Sequence, residues 1–279
     1  MTATSSPGFS LKQEGLSYAA GMELPLLAVD VCRAGPGLGN IGPEQSDYFQ
    51  ATKGGGHGDY HLFVLAPASV QEMAMMPRIG FDLAFKYRNP VLILGDAFIG
   101  QLKEDVEFPK VKPLKYDVSS WATTGAKGRD RHIINSLELD YEKQYRRVEA
   151  IFEKYRQAET KEVRFEDYQT EDADIVIVAF GIAARVGKGV VNKLRRKGVK
   201  VRLLRPITLW PFPNAILKEL ASQGKQFLDV ELNTGQMLHD VKLAVGAGVT
   251  VDFLGRWGGL VPTEAEIQNR LRRLEVIAA

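Results

Sequence analysis

Apolar runs of strand length alternate along the chain with stretches in which apolar positions recur every three or four residues. Residues 24–32 (LPLLAVDVC), 61–66 (HLFVLA) and 90–94 (PVLIL) are nearly continuous apolar runs, the pattern of strands buried on both faces. Ser6-Pro7-Gly8 reads as an N-cap followed by proline at the first helical position, opening a helix over about 9–20. Ser69 and Glu72 form an S-x-x-E capping box, and Met73, Met76, Gly80, Leu83, Ala84 and Tyr87 follow on one helical face. Asn89-Pro90 ends that helix, and Pro77 inside it predicts a kink or a break. This part of the chain reads as α/β with a mainly parallel sheet.

Residues 104–171 depart from the pattern. Tyr141, Tyr145, Val148, Phe152 and Tyr155 step by four, three, four and three, so a helix with a narrow apolar stripe and charged flanks is expected, strapped onto a domain as a linker. A second α/β series follows. It has strands at 175–179, 199–204, 227–231 and 249–253 and helices at 183–197, 236–244 and 264–274. The expected division is 1–110, a linker with its amphipathic helix at 111–171, and 172–279. No internal repeat or low-complexity tract is present.

The length of 279 residues fits two domains, and 45% hydrophobic with 25% charged residues is ordinary globular composition. Thirty-six basic against 34 acidic residues leaves +2, which argues against a dedicated nucleic-acid binder. The single cysteine, Cys32, can form no internal disulfide and hold no iron–sulfur cluster, so any such centre belongs to another chain. No apolar run approaches the roughly 18 residues of a membrane span, and MTATSSPGFS lacks the basic and apolar regions of a signal peptide. A cytoplasmic protein with no membrane or nucleic-acid partner is expected.

Ligands in open parallel sheets bind beyond the carboxyl ends of strands. Arg33 follows the strand 24–32 directly and opens a long glycine-rich connection, RAGPGLGNIGPEQSDYFQATKGGGHGDYH. It either clamps a carboxylate or phosphate bidentately or pairs with an acidic residue of the sheet rim. Gly37–Gly42 matches G-x-G-x-x-G in letters, but Pro43 and a loop follow where the dinucleotide fingerprint requires a long helix. Gly187-Lys188-Gly189 lacks the P-loop spacing, so Lys188 reads as a solvated residue near a helix start. His57, in Gly-Gly-Gly-His-Gly-Asp, is either a proton relay beside Asp59 or a structural turn residue. His61, His132 and His239 show no metal-ligand spacing, and Cys32 reads as an inert buried thiol. Arg205 and Arg256 are candidates for anion contacts, with a structural ion pair the commoner fate. The Ser6-Pro7-Gly8 turn, at a helix start, can accept a planar or anionic ligand.

Together, TSSPGFSLKQEGLSYAAGMELPLLAVDV, RAGPGLGNIGPEQSDYFQATKGGGHGDYHLFVLAPASVQEM and YRNPVLILGD resemble the alpha-type subunit of 2-oxoacid:ferredoxin oxidoreductases. WATTGAKGRDRHIINSLELD (121–140) resembles the branched-chain member, which acts on 3-methyl-2-oxobutanoate (2-ketoisovalerate). RPITLWPFP, ELNTGQMLHDVKLAV and GRWGGLVPT resemble the second domain of the same subunit. The resemblance implies a thiamine diphosphate enzyme whose first domain is of the pyrimidine-binding type. The second is similar to the transketolase C-terminal domain. It further implies a beta subunit carrying the diphosphate and Mg²⁺ half of the cofactor site, gamma and ferredoxin-like delta subunits, iron–sulfur clusters on other chains, coenzyme A as co-substrate, and ferredoxin. Arg33 matches the family arginine that holds the substrate carboxylate, and Ser6, Pro7 and Gly8 match a turn near the pyrimidine. His57 is the remaining catalytic candidate.

Family members carry further sequence before the position of Met1, including a glutamate that hydrogen-bonds the aminopyrimidine. The expectation is therefore an N-terminally truncated subunit, inactive by itself, that takes part in oxidative decarboxylation of a 2-oxo acid to an acyl-coenzyme A. Alternatives are 2-oxoglutarate or pyruvate as substrate, or a non-catalytic assembly subunit.

Overall fold

The computed structural model describes residues 1–110, 112–113, 115–169 and 172–274. The chain begins with β1 (Thr2–Thr4), α1 (Pro7–Gly21), β2 (Leu26–Cys32), α2 (Tyr48–Thr52), β3 (Phe63–Leu65), α3 (Val70–Tyr87), β4 (Pro90–Asp96) and α4 (Ala97–Gln101). After a stretch with no described helix or strand come α5 (Tyr141–Lys161), β5 (Phe165–Tyr168), β6 (Ile175–Ala179), α6 (Gly181–Arg195), β7 (Val201–Pro206) and β8 (Thr208–Trp210). The chain continues through α7 (Asn214–Ser222), β9 (Gln226–Glu231), α8 (Gln236–Val245), β10 (Val251–Gly255) and α9 (Glu264–Arg273).

The described strands form two five-stranded sheets, ordered β1-β2-β4-β3-β8 and β10-β9-β6-β7-β5. Each is parallel except at one edge, where β8 runs antiparallel to β3 and β5 antiparallel to β7. The α/β architecture with mainly parallel sheets is as the hydrophobic pattern implies. All seven residues of β4 and all five of β6 are buried, which is why they read as unbroken apolar runs. Strand β8 lies late in the sequence yet completes the first sheet, and β5 at 165–168 completes the second.

Half of the expected capping box forms at the start of α3: the Glu72 N–H donates to Ser69 Oγ at 3.1 Å, while Glu72 Oε2 accepts from the Ala68 N–H at 2.7 Å, one residue before the cap. The break expected at Pro77 does not occur, and the helix runs on to Tyr87. Met76, Gly80, Leu83 and Ala84 are buried on the face toward the sheet, and that packing holds the helix together across the missing backbone donor. Gly80 belongs there because a Cβ would lie 2.6 Å from Leu27 Cδ1. Helix α5 extends the expected amphipathic helix to Lys161 and buries Ile151, Tyr155 and Ala158. Its Tyr155 hydroxyl donates to Asn89 Oδ1 at 2.8 Å, and its ring meets His61 and Trp210 edge-on.

The two sheets are cross-linked by polar side chains. Asp96 Oδ1 accepts from Ile99 N–H at 2.9 Å, capping α4, while Oδ2 accepts from Ile182 N–H at 2.8 Å at the start of α6. Gln45 donates to the Phe180 carbonyl at 3.0 Å and accepts from Leu232 N–H at 2.9 Å. No described helix is long and apolar enough to cross a membrane.

Candidate functional site

A cavity of about 680 Å³ opens beyond the carboxyl end of β2, between the start of α1 and the loops that follow β9 and β10. Its volume lies in the range of small-molecule sites, roughly 300–1,000 Å³. Ser6 forms part of the floor in a strained backbone conformation, φ 23° and ψ −76°. It is fixed from three sides. Its N–H donates to Asp30 Oδ1 at 2.8 Å, its hydroxyl donates to Asp47 Oδ2 at 2.5 Å, and its Oγ accepts from the Arg33 N–H at 2.9 Å. The Ser6 side chain therefore does not cap α1; Pro7 starts the helix without a capping hydroxyl. Gly8 closes the turn onto β1, where a Cβ would meet Thr4 Oγ1 at 2.0 Å.

Arg33 lines the cavity, and its Nη1 donates to the carbonyls of Leu38 and Asn40 at 2.6 and 2.9 Å. The connection it grips forms a bridge back from Pro43 to Arg33 and reaches no helix before α2. Gly37–Gly42 is thus a folded-back turn rather than a dinucleotide loop. Gly39 has φ +57°, and a Cβ there would lie 1.7 Å from the Ala34 carbonyl oxygen, which only glycine tolerates. The turn is clasped by the loop after β10. Glu44 accepts from Gly35 N–H at 2.9 Å and from Gly258 N–H at 2.7 Å, and Asn40 Nδ2 donates to the Gly258 carbonyl at 3.2 Å.

The opposite wall comes from the second sheet. Glu231, at the end of β9, accepts from the N–H groups of Met237 and Leu238 at 2.8 and 3.0 Å and from Asn233 Nδ2 at 2.8 Å. Asn233 Oδ1 accepts from Gly235 and Gln236 N–H at 2.7 and 3.0 Å, which sets Asn233, Thr234 and Gln236 on the cavity edge. The Trp257 ring, 55% exposed, adds apolar surface. Arg33 is the sole cationic side chain of the described lining, which also carries the carboxylates Glu44 and Asp47.

Burial and the neighbouring Asp47 push the Asp30 carboxyl up to about 8. The same two causes push the Cys32 thiol well up, so this buried thiol stays neutral.

The structure brings Ser6, Pro7 and Arg33 into this cavity, with Gly8 in the adjoining turn. His57 and Asp59 lie on a different cavity of about 830 Å³ between α1, the Gly54–Gly58 turn and α5, where the His57 carbonyl accepts from Ser17 Oγ at 2.6 Å. His61 stacks on Trp210 with centroids 4.6 Å apart, and burial lowers its pKa. His132 Nδ1 lies 2.9 Å from the Ala122 carbonyl, and His239 meets the Phe49 ring. Arg205 pairs with Glu72 and Glu166, and Arg256 with Glu266, so both take the structural ion-pair role. Lys188 is not merely solvated: it pairs with Glu166 at 2.5 Å and sits 4.4 Å over the Tyr168 ring, midway along α6. Asp30, Asp47, Glu44, Asn233 and Trp257 had not been singled out. For Asp30 a signal exists, a carboxylate inside the apolar run LLAVDVC; the others depend on loops that only the fold brings together.

The donor set suits the aromatic end of thiamine diphosphate together with a 2-oxo acid. A guanidinium sits beside a strained serine turn and the carboxyl groups of Asp30 and Asp47, in a cavity of small-molecule size. Among the described residues no group of three metal-ligating side chains offers a Mg²⁺ site.

Comparison with known proteins gives two matching family models. Pyruvate flavodoxin/ferredoxin oxidoreductase, thiamine diphosphate-binding, covers residues 1–184, and pyruvate:ferredoxin oxidoreductase core domain II covers 173–267. Ketoisovalerate oxidoreductase subunit VorB of Methanothermobacter marburgensis is 49% identical over 278 residues, 100% of this chain and 78% of that protein. 2-Oxoglutarate synthase subunit KorA of the same organism is 33% identical, over 97% of this chain and 79% of that one. Among solved structures, the 2-oxoglutarate:ferredoxin oxidoreductase from Magnetococcus marinus, with 2-oxoglutarate, coenzyme A and succinyl-CoA bound, superposes with a TM-score of 0.83 at 28% identity. That match covers 98% of this chain, which spans about half (52%) of the other.

Proposed function

The chain belongs to the thiamine diphosphate-binding pyruvate flavodoxin/ferredoxin oxidoreductase family, as an alpha-type subunit of the 2-oxoacid:ferredoxin oxidoreductases, and from that premise we propose that it seats a branched 2-oxo acid, 3-methyl-2-oxobutanoate, at Arg33. The complex oxidatively decarboxylates this acid. One 2-oxo acid, one coenzyme A and two oxidised ferredoxins become one acyl-coenzyme A, one carbon dioxide, two reduced ferredoxins and a proton.

The observation that carries the substrate reading is the lining of the cavity. Arg33 is its single cation among the described residues, and Pro7, Pro36 and the Trp257 ring are its apolar surfaces. One guanidinium holds one carboxylate bidentately. A dicarboxylate such as 2-oxoglutarate needs a second cation, whereas an isopropyl group needs only apolar walls.

Thiamine diphosphate, when bound, supplies the carbon nucleophile that activates the 2-oxo carbon and accepts the electron pair left by departing carbon dioxide. Ser6 and Pro7, on the cavity lining, would hold its pyrimidine ring. Arg33 exchanges its hydrogen bonds with the Leu38 and Asn40 carbonyls for the substrate carboxylate, so the acid enters against a preformed guanidinium. The clasped turn that begins at Gly35 forms one wall of the cavity, beside Arg33. The diphosphate and Mg²⁺ fall to a beta subunit, and iron–sulfur clusters with gamma and delta subunits complete the electron path to ferredoxin.

The test is 2-oxo-acid-dependent viologen reduction by the native complex, isolated through this chain, with coenzyme A present and thiamine diphosphate added or withheld. Thiamine-dependent activity that favours 3-methyl-2-oxobutanoate over 2-oxoglutarate is expected. Preference for 2-oxoglutarate would overturn the substrate assignment, and thiamine-independent activity the cofactor.

A further inference from the structure

At the cavity floor the structure places two carboxyl groups, Asp30 and Asp47, on either side of Ser6, which donates its N–H to the first and its hydroxyl to the second. Asp30 lies within β2 and is 0% exposed. Its Oδ1 accepts from the Ser6 N–H, while its Oδ2 is buried with no hydrogen-bond partner among the described residues. Its neighbour is Asp47, within side-chain hydrogen-bonding reach of it. Asp47 Oδ2 takes the Ser6 hydroxyl at 2.5 Å, and Asp47 also lines the cavity. Ionised carboxylates only accept hydrogen bonds, so the buried Asp30 Oδ2, with Asp47 as its polar neighbour, is satisfied only when one of the two carries a proton. Cys32, two residues further along the same strand, is the other titratable group facing this pair, and its thiol is neutral. The guanidinium of the cavity, on Arg33, is directed at the carbonyls of Leu38 and Asn40.

We propose that Asp30 and Asp47 hold one proton between them, and that Asp47 gives it to the 2-oxo oxygen of the bound acid as negative charge develops there and takes it back when that oxygen again becomes a carbonyl. The inference rests on the substrate reading of Arg33. Asp47 is the group that meets the substrate. Asp30, which does not reach the cavity, is a positioning residue that keeps the pair loaded. In the transfer an O–H bond on Asp47 breaks as an O–H bond forms on the substrate oxygen, and the electron pair stays on the carboxylate. The pair passes from one negative charge to two while the substrate oxygen passes from negative to neutral. The return step reverses both, with no oxidant or co-reactant. Burial and the like charge of Asp47 bring Asp30 to about 8, so the pair is loaded at neutral pH and close to the working range of an effective proton donor.

Infrared spectroscopy of the intact complex reads the proton without substrate. The wild type is expected to show a protonated carboxyl C=O stretch that shifts in D₂O and fades as pH rises through about 8. Asp30→Asn keeps an acceptor for the Ser6 N–H and removes the carboxyl that shares the proton, so the stretch is lost. In the same variant kcat falls about 100-fold and its alkaline limb moves, with KM changed less than about threefold. Asp47→Glu keeps a carboxyl at the cavity and regains part of kcat, which Asp47→Asn does not. A stretch missing from the wild type, or unchanged in Asp30→Asn, overturns the shared proton. Loss of the stretch with a kcat–pH profile superimposable on the wild type, or equal loss of kcat in Asp47→Glu and Asp47→Asn, overturns the transfer. Failure of the substrate reading looks different: the stretch behaves as expected while Arg33→Gln leaves KM for every 2-oxo acid unchanged.

Discussion

Gly42 and Gly259 meet backbone to backbone: a Cβ on Gly42 would stand 2.6 Å from the Gly259 Cα. This is the tightest point of the clasp by which the loop after β10 holds the turn gripped by Arg33. Gly42→Ala introduces no φ conflict, so its effect is the steric wedge alone. The turn is expected to shift by something near 1 Å, and kcat/KM for the 2-oxo acid to fall roughly 100-fold. The circular dichroism of the complex should be unchanged. Wild-type kinetics in this variant would show that the clasp does not set the position of Arg33.

Arg33 itself has a distinct signature. Its guanidinium forms two hydrogen bonds to main-chain carbonyls that a substrate carboxylate can replace. Arg33→Gln removes a charge-assisted pair worth about 1.5–3 kcal/mol, so KM for the 2-oxo acid should rise roughly 10- to 100-fold with a smaller change in kcat. Arg33→Lys keeps the charge but loses the bidentate fork and should fall between the two. Steady-state kinetics of the complex decide it; a change confined to kcat would move Arg33 out of substrate binding.

Much of this arrangement is legible along the chain because its signals are local. The apolar runs at 90–94 and 175–179 became fully buried strands, and Ser69 with Glu72 capped α3 as their spacing requires. What escaped is non-local. Thr2–Thr4 has too little apolar content to announce a strand, and exists because Thr2, Ala3 and Thr4 pair with Ala28, Val29 and Asp30. Thr208–Trp210 is three residues long, and nothing in its composition says that it completes the first sheet by pairing with β3. At the site, Arg33 and the Ser6 turn were readable from placement and resemblance. Their supports were not: Glu44 reaches Gly258 across 214 positions, and Ser6 reaches Asp47 across 41. Ser6 illustrates the competition directly, since its hydroxyl is drawn from the helix cap that its sequence context suggests to a carboxylate that only the fold brings near.

Arg205, on β7, ties helix α3 to the second sheet. Its side chain is 5% exposed and donates to both oxygens of Glu72, at 2.8 and 2.9 Å, and to Glu166 at 2.9 Å. Arg205→Ala leaves Glu72 without its cation and Glu166 with Lys188 as its remaining partner, and a destabilisation of about 3 kcal/mol is expected. Arg205→Met restores the apolar stem without the charge and should differ from alanine by less than the total loss. Chemical denaturation measures both; a cost under about 1 kcal/mol for alanine would mark the network as a solvated surface pair.

Asp96 sets a pH dependence of stability whose sign follows from its burial. Desolvation raises its carboxyl from 3.8 to about 6, outweighing the hydrogen bonds from Ile99 and Ile182 that lower it. Between those values the folded chain binds a proton that the unfolded chain has already released. The folded state is therefore favoured at the acid end of the window, and stability falls as pH rises from about 4 to about 6, by about 1.4 kcal/mol per pH unit at most. Above the folded value the loss is complete. Asp30 acts with the same sign up to about 8. His61, whose pKa is lowered by burial, acts with the opposite sign, losing stability as pH falls below its unfolded value. Both are present in the wild type and in Asp96→Asn, so subtracting the two stability–pH curves isolates Asp96. The difference should slope between pH 4 and 6 and be flat from 6 to 8. Asn keeps the acceptor for the Ile99 N–H but sets its donor NH₂ against the Ile182 N–H, which lowers the whole curve without adding slope. A difference curve flat from pH 4 to 8 would show that Asp96 is ionised throughout, and that the crossing it makes between α4 and α6 is an ordinary charged cap.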